Sequence, residues 1–192
     1  MQANSSLSPK NGLSMKDYRI AGHIVSIDFT DSNISETLLP NFAPFAYEGQ
    51  QKPAVTIRIV SDHEWEQDVQ DIGTFDVGGS DYAVFRTAQG GYRLDIHDTN
   101  GHLCSRIQSN PDFSLCHVKI YEGTYTQQHY GLDNCMMLAF AYATATMDTL
   151  LIHSSVIRCN GNGYLMTAPS GTGKSTHTYL WYTTIPGCDL MN

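Results

Sequence analysis

Between Leu165 and Thr178 the chain reads "LMTAPSGTGKSTHT", and this stretch constrains the fold more than any other. An apolar strand-like run, "YLMT", gives way to a loop of small residues. Lys174, Ser175 and Thr176 then open a helix-like segment, "STHTYLWYTT", which Pro186 and Gly187 stop. A Gly-rich loop between a strand and a helix points backbone N–H groups at one spot, at the positive end of the helix dipole. The candidate anion cradle is Ala168, Pro169, Ser170, Gly171, Thr172, Gly173, Lys174, Ser175 and Thr176. Lys174 is the candidate charge for β- and γ-phosphates, and the Ser175 hydroxyl is the candidate ligand for Mg²⁺. The general pattern is G-x-x-x-x-G-K-[ST]; Ala168 stands where its first Gly would be. A plain Gly/Ser turn with an exposed lysine is the bland alternative.

Upstream, residues 18–120 break into short alternating runs: "HIVSIDF", "AVTIRIV", "YAVFRT", "YRLDIH" and "CHVKI". Turn residues separate them at "GGSD", "AQGG", "DTNG" and "SNPD", which predicts an antiparallel, β-rich region. "GLDNCMMLAFAYATATMDTLL" predicts a long helix with Asp133 or Asn134 as N-cap, apolar nearly all round and therefore largely buried. "HSSVIRC" and "GYLMTAP" read as two strands joined by the hairpin signal "NGNG", and "CDLMN" begins a third. The expected organisation is a disordered leader over 1–14, a β-rich region over 15–130 and a loop-bearing domain over 131–192. The fold class is α+β or mixed α/β.

Eleven Lys and Arg against nineteen Asp and Glu leave a net charge of −8, which argues against nucleic acid as the main partner. The most apolar helical stretch is too short to cross a bilayer, so no membrane is expected. Five cysteines, odd in number and without a C-x-x-C pair, fit reduced thiols in a cytoplasmic protein.

Residues 150–192 resemble the phosphate-loop region of HPr kinase/phosphorylase and are similar to the related loop of ATP-dependent phosphoenolpyruvate carboxykinase. His153, Ser170, Gly171, Gly173, Lys174 and Ser175 fall on that shared pattern. The resemblance implies a nucleotide-binding domain with a mixed sheet, ATP and Mg²⁺ as cofactors, and phosphoryl transfer to a hydroxyl of a protein or small molecule. It places Lys174 and His153 in catalytic roles, His153 as a phosphate contact or proton carrier unless it is an ordinary packed histidine. Aligned on Gly187, the family's paired acids would follow Asn192. The resemblance therefore implies a chain that stops short of its catalytic acid, with Asp189 the one acidic residue left to replace it. An unfinished sheet edge would favour pairing with a second copy of the chain.

Two other functions stay open. Carboxykinase chemistry needs a second metal site and an arginine for a dicarboxylate, and no residues suggest either. A non-catalytic protein-binding module that responds to nucleotide is the other. His177 reads as exposed, with a nucleotide contact as the lesser reading. His97 and His102 flank a hairpin turn rather than a metal. The acidic run "DHEWEQD" at 62–68 reads as solvated surface, and Tyr121, Tyr125 and Tyr130 as packing.

Overall fold

The computed structural model describes residues 15–76, 78–169 and 171–191, so the expected leader lies outside the described residues. The chain forms two compact units, the first through Thr149 and the second from Leu150.

The first unit is built on nine strands: β1 (Met15–Ile20), β2 (His23–Asp31), β3 (Ala46–Tyr47), β4 (Val55–Val60), β5 (Val69–Asp76), β6 (Asp81–Thr87), β7 (Tyr92–His97), β8 (Leu103–Ser109) and β9 (Leu115–Ile120). They lie in one sheet in the order β3-β1-β2-β4-β9-β8-β7-β6-β5. Tight turns make β5 to β9 an antiparallel meander. At the centre, however, β2 pairs parallel with β4 and β4 parallel with β9. This corrects the expectation of an all-antiparallel region and makes the fold mixed α/β with a large mixed sheet and few helices. Alternation along each run was correct, but it reports faces and not strand direction. Strands β1, β5 and β8 carry too many polar residues to stand out as runs.

Alternation divides the sheet into two faces. Val25, Ile27, Ile57, Ile59, Cys116, Val118, Ile107 and Leu94 form a buried row on one of them. The helix α1 (Tyr125–Thr144) covers this row with Leu132, Cys135, Met136, Ala139, Phe140 and Ala143. Each such aliphatic side chain withdrawn from water contributes about 2 kcal/mol. The other face is polar: Asp28 lies opposite Arg58, Arg58 opposite His117, and Arg106 opposite Lys119.

The helix begins earlier than the apolar run suggests. Its N-cap is Thr124, whose hydroxyl accepts from the Gln127 N–H at 3.3 Å while Gln127 Oε1 accepts from the Thr124 N–H at 3.0 Å. This capping box, Thr-x-x-Gln, corrects the assignment to Asp133 or Asn134. Nor is the helix buried all round, because Met137 and Tyr142 are exposed. Tyr125 and Tyr130 lie within it. The run at 62–68 is only partly solvated: His63 stacks on His117 with ring centroids 4.3 Å apart, and the Trp65 ring sits 5.6 Å from the Arg106 guanidinium.

The second unit holds β10 (Ser155–Cys159), β11 (Asn162–Met166), α2 (Lys174–Thr184) and β12 (Cys188–Leu190). The expected hairpin is present, with Asn160 at φ 50° and Gly161 at φ 81°. The three strands pair antiparallel in the order β11-β10-β12. That order sets Cys159 directly opposite Cys188, and the two form a disulfide. The expectation of five reduced thiols is therefore corrected for this pair: residues 29 apart in sequence meet only through strand pairing. Cys104, Cys116 and Cys135 are free and buried, and burial pushes the Cys135 thiol up to about 12. Among the described residues, no helix is long and apolar enough to cross a membrane.

Candidate functional site

The last residue of β11 and the first turn of α2 are held together by one buried hydroxyl. Thr178 Oγ1 donates to the Lys174 carbonyl at 2.9 Å and lies 3.5 Å from Met166 Sδ. The intervening loop turns back on itself rather than running extended. Its Thr172 hydroxyl donates to the Pro169 carbonyl at 2.8 Å, and the Thr172 N–H approaches the same oxygen at 3.4 Å. Gly171 (φ 79°) and Gly173 (φ 93°) occupy left-handed backbone, where a side chain would be strained. A Cβ at either glycine would meet open space, so conformation and not crowding demands them.

Gly173 caps α2, and its carbonyl accepts from the His177 N–H at 2.9 Å. In the first helical turn the N–H groups of Lys174, Ser175 and Thr176 have no carbonyl within the helix to reach. Lys174 folds back over its own loop, donating from Nζ to the Ala168 carbonyl at 2.8 Å and to the Pro169 carbonyl at 3.3 Å. A cation therefore sits beside the positive end of the helix, held by two neutral acceptors.

An open concavity of about 470 Å³ lies here. Of the residues expected from sequence, Ala168, Thr172, Gly173, Lys174 and Thr176 line it, together with Met166, His177 and Leu180. Pro169, Gly171 and Ser175 shape the loop and helix start without lining the concavity. Ser170 lies outside the described residues. His153 is exposed, ahead of β10, and is not among the lining residues. His177 is also exposed, yet it does line the concavity, 6.1 Å from the Trp181 ring.

No carboxylate is among the lining residues. Asp189 is engaged elsewhere, receiving Nε and Nη2 of Arg158 at 3.0 and 2.5 Å across the β10–β12 pair. That guanidinium holds its carboxyl below the usual carboxylate range. His97 and His102 also have separate partners. His97 Nδ1 lies 3.3 Å from the Asp81 carbonyl, and His102 Nε2 lies 3.1 Å from the Glu122 carbonyl. No group of three metal-ligating side chains occurs among the described residues. Met166 and Leu180, the apolar wall of the concavity, were not singled out in the sequence. The signal was their position at the strand end and on the helix face next to the loop.

No protein-family model, curated protein or solved structure matches this chain.

Proposed function

We propose that the loop between β11 and α2 binds the phosphates of ATP with Mg²⁺, and that the chain is an HPr-kinase-like nucleotide-binding protein. The observation that carries this reading is the Lys174 ammonium folded over the Ala168 and Pro169 carbonyls at the N-terminal end of α2. A phosphate entering the concavity would replace those two neutral acceptors by anionic ones, adding opposite-charge attraction to the hydrogen bonds that the ammonium already donates. First-turn amides would receive its remaining oxygens. The Ser175 hydroxyl, a hard oxygen donor on the exposed start of the helix, suits Mg²⁺, which would bridge and neutralise phosphate charge.

Isothermal titration with ATP and Mg²⁺ tests the reading. Lys174→Ala is expected to weaken binding by about tenfold or more, equivalent to about 1.4 kcal/mol. Equal affinity in both proteins would remove the loop from the account.

The carboxylate-free lining and the pairing of Asp189 with Arg158 favour a second reading, in which this chain binds nucleotide without transferring phosphate. Transfer to a hydroxyl needs a group to accept its proton. Phosphate release from ATP faster than the uncatalysed rate, abolished in Lys174→Ala, would exclude that second reading.

A further inference from the structure

The three central strands β2, β4 and β9 run parallel, so their carboxyl ends lie side by side. The chain leaves them in opposing directions. After β2 it passes to the helical face, where Ile34 packs on the core and Leu38 and Leu39 are buried beneath α1. After β4 it passes to the polar face, where His63 stacks on His117 and Trp65 lies by Arg106. After β9 it returns to the helical face and enters α1. Diverging connections leave a crevice between the strand ends, the place where open α/β sheets hold their ligands.

A cavity of about 630 Å³ occupies this crevice, within the ordinary range for small-molecule sites. Its rim is fixed by main-chain anchoring. His102 Nε2 lies 3.1 Å from the Glu122 carbonyl, Gln128 Nε2 donates to the Tyr121 carbonyl at 3.4 Å, and the Ser61 N–H donates to the Asp31 carbonyl at 2.8 Å. Other polar groups remain open. Among the described residues, the Asn33 amide, the Ser61 hydroxyl and the Lys119 ammonium have no hydrogen-bond or ion-pair partner, although all three residues line the cavity. The nearest group described for the Lys119 ammonium is the Tyr121 ring, 5.6 Å away. The one carboxylate in the lining, Glu122, is exposed, as are Asn33 and Ser61, whereas Lys119 is half-buried.

The geometry points to this crevice as a binding site for a small organic anion, a carboxylate or a phosphate ester. Lys119 supplies the charge, and Asn33 and Ser61 hydrogen-bond the ligand's polar groups. The site belongs to the first unit and does not depend on the nucleotide reading of the loop.

Amide NMR spectra of the full chain, titrated separately with citrate and with inorganic phosphate, test it. Saturable shifts are expected at Asn33, Ser61 and Lys119–Glu122 with at least one probe. Saturation by citrate alone identifies a carboxylate ligand, and by phosphate alone a phosphate ester. Lys119→Ala, with its fold checked by amide shifts away from the crevice that match the native chain, is expected to weaken binding about tenfold. Lys174→Ala is expected to leave it unchanged. Shifts that never saturate, that keep their affinity in Lys119→Ala, or that appear only at the β11–α2 loop would overturn the proposal.

Discussion

Lys119 and Lys174 both lack a carboxylate partner among the described residues, but their settings differ. Lys174 is tied to two loop carbonyls, whereas Lys119 faces an aromatic ring. The position of the first was legible in the sequence because Gly-Lys-Ser after a strand is a local pattern, though its tie to the loop carbonyls was not. The second was not, since its surroundings exist only once β2, β4 and β9 lie side by side. His117 shows the same dependence on pairing. Burial, His63 and Arg58 hold its imidazole below the ordinary value of 6.5. In the unfolded chain this ring takes up a proton near 6.5, whereas in the folded protein it does so only at lower pH. Stability is therefore expected to fall as pH drops below that value, levelling off once the native ring also titrates. The carboxyls of Asp28 and Asp98, held low by hydrogen bonds, add their own loss only in stronger acid, below their ordinary 3.8. Urea midpoints for the native chain and for His117→Gln, compared at about pH 7.5 and about pH 5.5, check this. The variant should show the smaller drop.

At the scale of elements, α1 was legible in kind and wrong in extent. Its apolar face stood out, but its start is written in Thr124 and Gln127, a polar signature outside the apolar run. Gly131 has the opposite character. Read locally it weakens the helix, and replacing an exposed helical glycine by alanine usually gains about 1 kcal/mol. Here an added Cβ would stand 3.0 Å from the Cys104 carbonyl oxygen of β8, while the Gly131 carbonyl accepts from the Ser105 hydroxyl at 3.0 Å. Gly131→Ala is therefore expected to destabilise the protein by about 1–3 kcal/mol, through displacement of the helix from the strand. Chemical denaturation measures it, and a stabilised variant would show that the contact yields freely. The turn of the β10–β11 hairpin was legible because Asn160 and Gly161 accept positive φ without help from the rest of the fold, although the strands are shorter than the runs suggested and β11 starts at Asn162, inside the "NGNG" signal.

Over the whole molecule, the two units rest on different support. The first has an extensive apolar core. The second buries Ile157, Cys159 and Thr178, while Leu165, Tyr179 and Leu180 remain exposed. The Cys159–Cys188 bridge, spanning 29 residues, is thus a major support of the second unit; cross-links of that span contribute about 3–4 kcal/mol in the chain-entropy model. With a thiol reductant, hydrogen exchange at β10–β12 amides is expected to quicken while protection at β4 and β9 stays constant. Unchanged exchange in the second unit would argue against the bridge. Neither the bridge nor the parallel centre of the sheet was readable from residue patterns, because both follow from which strands become neighbours. That parallel centre bears on the order of events as the protein is made. The hairpins from β5 to β8 can close as soon as they emerge from the ribosome. β4, made well before them, has only one of its two neighbours until Ile120 has been synthesised, so its inner edge waits open while five further strands are produced.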